Sequence, residues 1–169
     1  MRALVWIVED TWEATVAEAA AFLPAGAEVT LLHVADARAE EVAHGARAGL
    51  LGRPRRPPPG PERPLRAISA EAAEALLAEA RERLGRAAGV VHRRGRIERE
   101  VIAATEGMDL LVLARDGDHT RLGPPSLGPA ARFVVDHAPC RVLLVWADEA
   151  PDLGTIPPPP RHPPHPPRA

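Results

Sequence analysis

Met108-Asp109-Leu110-Leu111-Val112-Leu113-Ala114 is a short apolar run that breaks into the polar Arg115-Asp116-Gly117, and Arg141-Val142-Leu143-Leu144-Val145-Trp146 is a second run of the same kind. Between them lie a Gly- and Pro-containing loop and, over Pro129 to Ala138, apolar residues at helical spacing. Strand, loop, helix and strand make a βαβ unit, long enough for a crossover between parallel strands. Neither strand alternates polar with apolar residues, so both faces of their sheet are expected to be covered by helices. In such sheets ligands lie beyond the carboxyl ends of the strands, which puts the loop after Ala114 first among candidate sites.

Working outward, Ala3-Leu4-Val5-Trp6-Ile7-Val8 reads as a buried central strand ending in the polar Glu9-Asp10-Thr11. Asp10 and Glu13 stand at capping-box spacing, with Thr11 the alternative cap. Trp12, Val16, Ala19 or Ala20 and Leu23 then form a helical stripe that Pro24-Ala25-Gly26 ends. Glu28 to Val34 is a second strand, in which His33 is expected to be a hydrogen-bonded structural histidine. A loose helix is expected from Asp36 through Leu50, interrupted by Gly45 and Gly49. Further on, Ile68-Ser69 suits a helix start, and Ala73, Leu76 or Leu77, Ala80 and Leu84 mark that helix's buried face. Val90-Val91-His92 reads as a short edge strand guarded by Arg93 and Arg94. Ile97, Val101, Ile102 and Thr105 then mark a short helix stopped by Gly107. These elements predict an α/β fold: an open, mostly parallel five-stranded sheet with helices on both faces, a nucleotide-binding-like sandwich.

Two segments depart from this pattern. Residues 52–66 carry five prolines beside Pro64 and a cluster of arginines, including Arg53, Arg55, Arg56, Arg63 and Arg66, which predicts an extended mobile loop. Residues 149–169 form a Pro-, Arg- and His-rich stretch with too little apolar mass to fold, and Pro157 to Pro160 favours polyproline II. His162 and His165 have no cysteine or carboxylate beside them, so no metal is expected there. The folded domain is accordingly placed at residues 1–148.

The formal net charge is -2 and all 21 basic residues are arginine, a balance that gives no reason to expect nucleic acid or an anionic membrane as partner. One cysteine, Cys140, excludes an internal disulfide. No apolar run approaches the ~18 residues of a membrane span, and the chain starts directly on a strand, so a soluble cytoplasmic protein is expected.

Four stretches resemble the universal stress protein family: Thr30-Leu31-Leu32-His33-Val34; Gly95 with the helix after it; Asp109 to Leu113 leading to Gly117; and Leu127-Gly128 with Val134-Val135-Asp136-His137-Ala138-Pro139-Cys140-Arg141-Val142-Leu143-Leu144-Val145. The last is the most specific. The resemblance covers roughly residues 1–146 and implies a sheet of order 3-2-1-4-5. It also implies homodimers formed through the last strand, here Val142, Leu143, Leu144 and Val145, and a division into members that bind ATP and members that do not.

The family's nucleotide motif is a glycine, two residues, a second glycine, nine residues, then glycine followed by serine or threonine. Carried onto this chain, it implies Glu9, Asp10, Val34, Ala114, Arg115, Gly117, Arg121, Gly128 and Pro129 as cofactor-binding positions. The motif is degenerate: Ala114 replaces the first glycine, Gly117 keeps the second, the spacer is ten residues, and Pro129 replaces the hydroxyl residue. Glycines let a backbone approach phosphate, and N–H and hydroxyl donors grip it. Proline has neither donor, so up to two phosphate contacts are lost, about 3 to 6 kcal/mol in total. Pro129 equally suits the first position of a helix. Arg115 and Arg121 could attract an anion, and Asp116 would oppose it. The acidic residue after the first strand is Glu9 if the turn is one residue longer than in the family; otherwise Val8 takes its place.

Three functions follow. The first is a dimeric, non-enzymatic stress-response protein with weak or no nucleotide binding and no cofactor. The second is an ATP-binding switch or slow ATPase using Mg2+, for which no general base can be assigned. The third is a regulatory scaffold whose Arg/Pro-rich loop and tail bind an unidentified protein partner. A dinucleotide fingerprint, a zinc-protease helix and a nucleophile elbow are all absent from the sequence.

Overall fold

Apolar runs bounded by turn residues become strands β1 (Arg2–Ile7), β2 (Glu28–Asp36), β3 (Ala88–Gly95), β4 (Leu110–Ala114) and β5 (Arg141–Val145). Between them lie helices α1 (Trp12–Phe22), α2 (Glu62–Leu84), α3 (Ile97–Ala104) and α4 (Pro129–His137). The computed structural model describes residues 1–37, 62–156 and 158, with residues 62–69 described as backbone only. All four strand pairings are parallel, as expected from the residues, and the order is β3-β2-β1-β4-β5, as the family resemblance implies.

Both faces of the sheet are buried, and the strand pleat divides the core in two. Val5, Ile7, Leu31 and Val112 face α1 and α2, meeting Val16, Ala19, Leu77 and Ala80. Leu4, Trp6, Leu32 and Leu111 face α3 and α4, meeting Val101, Ala104, Ala131 and Val134. Adjacent residues of one strand therefore enter different cores, which is why these strands carry no polar alternation.

Four details differ from the sequence reading. Thr11 is the N-cap of α1 and makes no side-chain cap bond. Asp10 lies one residue too early to cap, and Thr11 N–H instead donates to the Val8 carbonyl at 3.0 Å. Helix α2 begins at Glu62, not at Ser69, so residues 62–66 of the expected loop are helical. Pro64 is tolerated there because N–H groups of a first helical turn have no intrahelical acceptor. Residues 52–61 of that loop, and the expected helix beyond Ala37, lie outside the described residues.

Strand β3 has eight residues instead of three and pairs with β2 as far as Asp36↔Gly95, because β2 itself extends to Asp36. Finally, Leu153–Thr155 form a 3-10 turn within the stretch expected to be unfolded. Asp152 caps it through Gly154 N–H at 2.7 Å, and Leu122 N–H donates to Thr155 Oγ1 at 3.0 Å. Pro157 and residues 159–169, with His162 and His165, lie outside the described residues.

Candidate functional site

The carboxyl ends of β1 and β4 lie side by side at the centre of the sheet, with the loop 115–128 leaving β4. Parallel pairing places Glu9, just beyond β1, and Ala114, the last residue of β4, at the same edge. Val34 is also near this edge, but its side chain is buried in the core against α3 and α4. Val8 packs against the same core, so Glu9 is the acidic group that reaches out after β1. Asp10 is exposed in the following turn.

Glu9 belongs to a chain of side chains across three strands. Register sets Ile7 beside His33 and His33 beside His92. His33 is buried; its Nε2 is 3.0 Å from Glu9 Oε1 and its Nδ1 is 3.1 Å from His92 Nδ1. A neutral His33 satisfies both contacts by donating from Nε2 to Glu9 and accepting at Nδ1 from His92. The bond from His33 holds the Glu9 carboxyl below its usual pKa, against the opposing effect of partial burial. His33 is thus the hydrogen-bonded structural histidine expected from sequence.

The loop after β4 is folded against itself. Gly117 N–H donates to the Ser126 carbonyl at 3.1 Å and Asp118 N–H to the Pro125 carbonyl at 2.9 Å. This approach requires glycine: a Cβ at Gly117 would stand 2.3 Å from the Pro125 oxygen and 2.7 Å from the Ser126 carbonyl carbon. Arg115 lies over the Trp146 ring, 4.5 Å from its centroid, and bonds Ser126 Oγ through Nη1. Its Nε is buried without a hydrogen-bond partner among the described residues, and burial lowers its pKa. Arg121 pairs with Asp118 at 2.8 Å, so neither arginine is presented as a free anion contact. The Asp118 carboxyl is held below its usual pKa by the Thr120 hydroxyl and amide and by Arg121. His119 bridges the loop to the chain after β5, with Nε2 donating to the Arg115 carbonyl at 2.8 Å and Nδ1 3.2 Å from Asp148 Oδ2.

Where the loop enters α4, Gly128 N–H donates to Asp116 Oδ1 at 2.6 Å. Pro129 is the first residue of α4 and has no N–H to offer. A triphosphate therefore does not fit these residues as they stand: the amides of Gly117 and Gly128 are engaged within the chain, and a carboxylate already lies at the helix start. The structure places Ala114 at the end of β4, Arg115, Gly117, Arg121 and Gly128 in the loop that follows, and Pro129 at the start of α4, while Glu9 is engaged with His33 across the sheet.

Four contributors escaped the sequence reading. Ser126 is fully buried and donates to the Gly123 carbonyl at 2.7 Å; nothing distinguished it from other loop serines. Trp146 and His119 matter only through the fold-back of the loop. Asp116 was legible as a charge opposing anions, but its bond to Gly128 was not.

Among the described residues there is no group of three or more His, Cys, Asp or Glu that could hold a metal, and no helix is long and apolar enough to cross a membrane. Cys140 is free and half-buried, and burial raises its thiol pKa, so it is not an activated thiolate. A shallow groove of about 680 Å³ lined by Glu74, Arg81, Arg86 and Val90 lies where α2 meets the start of β3, away from the carboxyl edge.

The order β3-β2-β1-β4-β5, with a glycine-bearing loop closing onto the start of α4, defines a nucleotide-binding-type α/β sandwich. Residues 8–145 match the model of the universal stress protein family, and the chain belongs to that family. No curated protein matches it. Among solved structures, the hypothetical protein MJ0577 is similar at 21% identity and a TM-score of 0.62, over 88% of this chain and 97% of that one. The universal stress protein UspA from Lactobacillus plantarum is similar at 18% identity and a TM-score of 0.55, over 86% of this chain and 97% of that one. A universal stress protein solved in complex with cAMP is 15% identical, with a TM-score of 0.55, over 88% of this chain and 98% of that one. At these identities the likeness speaks to the fold.

Proposed function

We propose that this chain is a non-enzymatic stress-response protein of the cytoplasm that works as a homodimer and binds ATP weakly or not at all. One observation carries the nucleotide part: both glycine amides that the degenerate motif retains already have acceptors inside the chain, Ser126 for Gly117 and Asp116 for Gly128. A ligand phosphate would have to break those bonds, and Pro129 offers no donor in compensation. Each charge-assisted bond not made costs about 1.5 to 3 kcal/mol, enough to move a micromolar site toward millimolar.

The dimer rests on a separate feature. Strand β5 is a sheet edge on which Val142, Leu143 and Leu144 are only half-buried, with Val145 alone buried. An apolar, nearly uncharged edge calls for a partner strand, and a second copy supplies one by two-fold pairing.

Native mass spectrometry of the purified protein tests both parts. The expected spectrum is a dimer without retained nucleotide, and titration with Mg-ATP is expected to give little heat. A dissociation constant below about 50 micromolar would support the ATP-switch alternative instead. Monomer alone at micromolar concentration would end the dimer reading.

A further inference from the structure

Helix α4 starts without any acceptor of its own. Its N-cap is Gly128, which has no side chain to cap with, and its first turn contains no acidic residue. The first-turn amides of a helix lack intrahelical acceptors, and its positive end would ordinarily attract an anion. Asp116, twelve residues upstream, meets that need from outside the helix: Oδ1 accepts from Gly128 N–H at 2.6 Å. The carboxylate also covers the open face of the glycine, for a Cβ at Gly128 would lie 2.8 Å from Asp116 Oδ2 and 3.0 Å from Oδ1. The space that a side chain or a ligand oxygen would take beside the Gly128 amide is filled by carboxylate oxygens.

We infer that Asp116 is a built-in phosphate substitute, an internal anion that occupies the start of α4 and selects against phosphate-bearing ligands. This rests on the reading that loop 115–128 corresponds to the family's nucleotide loop. It goes further by naming the group that closes the site and by separating its effect from that of Pro129. Proline removes a donor from the cradle, whereas Asp116 adds a competitor: an incoming phosphate must displace one negative charge and then remain near it. Arg115 does not neutralise this charge in place, since its guanidinium is directed to Ser126 and Trp146. The Asp116 side chain is exposed, so its removal should leave the fold standing.

The test is calorimetric titration of Mg-ATP and, separately, inorganic pyrophosphate into the wild-type protein, D116S, D116S/P129S and the charge control E18Q. Circular dichroism and thermal melts report whether each variant is folded. Exchanging the internal carboxylate for a free charge-assisted donor predicts affinity for both probes at least about tenfold higher in D116S than in wild type, and higher again in D116S/P129S. E18Q, which changes net charge equally at an exposed position of α1 away from the loop, is expected to stay within about twofold. No gain in D116S or D116S/P129S overturns the inference, as does an equal gain in E18Q; binding too weak to detect in every protein counts as no gain. A wild-type dissociation constant below about 50 micromolar that tightens tenfold in D116S would overturn the weak-binding reading and leave the role of Asp116 intact. Weak wild-type binding with no gain would do the reverse.

Discussion

His33 Nε2 lies 3.0 Å from Glu9 Oε1, so the turn after β1 is tied to β2 by a carboxylate whose pKa is held down by that bond. A carboxyl with a folded-state pKa below its unfolded value favours the folded state when ionised. Its contribution is complete above the usual value of 4.5 and is lost as pH falls through the lower folded-state value. The Glu9 side chain is 69% exposed, so the effect is modest and weakens with salt. E9Q keeps an acceptor for His33 but cannot titrate. The prediction is that wild type loses more stability than E9Q between pH 7 and about pH 3. Urea unfolding at the two pH values reads it, and parallel losses would remove Glu9 from the account.

Gly117 and Gly26 predict opposite responses to the same substitution. A Cβ on Gly117 would meet only backbone, 2.3 to 2.9 Å away at Pro125, Ser126 and Leu127, whereas one on Gly26 would meet nothing within 4 Å. Backbone cannot swing aside as a side chain can. G117A is therefore expected to cost about 1 to 3 kcal/mol, like other overpacked sites. G26A is expected to be neutral or to stabilise by up to about 1 kcal/mol through the unfolded chain. Denaturant midpoints for the two variants decide it, and a harmless G117A would mean the loop is looser than described.

Thr155 holds the chain after β5 over the site loop through one bond, its Oγ1 accepting from Leu122 N–H at 3.0 Å. T155V keeps the shape and removes the acceptor, together with the hydroxyl's own donation to the Asp152 carbonyl at 2.6 Å. Amide exchange at Leu122 is predicted to quicken in T155V while the β1 amides are unchanged, because these peripheral bonds govern local opening and not global unfolding. Equal Leu122 exchange in both proteins would place that amide's protection elsewhere.

What could be read from sequence was what depends on neighbours in the chain. Leu110 to Leu113 and Leu31-Leu32 are apolar without alternation, which gave parallel strands covered on both faces, and Val16, Ala19 and Leu77 kept the helical interval that buries them. Meetings between distant residues left no such trace. Asp116 reaches Gly128 only because Gly117 folds the loop back on Pro125, and His33 meets His92 only because β2 and β3 pair in one particular register. Pro64 and the surrounding arginines disguised the start of α2, since composition opposes a helix interior but not its first turn. The fold was therefore legible, while the chemistry of the loop waited on its path through space.

Leu31 and Leu32 provide the sharpest test of the doubly covered sheet. They are consecutive on β2, both are 0% exposed, and they enter opposite cores, Leu31 toward α1 and α2 and Leu32 toward α3 and α4. In a sheet with one wet face, truncating one of two neighbours would be costly and truncating the other nearly free. Here L31A and L32A should each cost about 2 to 5 kcal/mol, the penalty for deleting a fully buried leucine side chain and leaving a cavity. Chemical denaturation of each variant measures it, with unchanged slopes required for the comparison. A cost below about 1 kcal/mol at either position would mean that one of the two helical layers does not seal its face, and with it would go the placement of the site loop at the end of a buried strand.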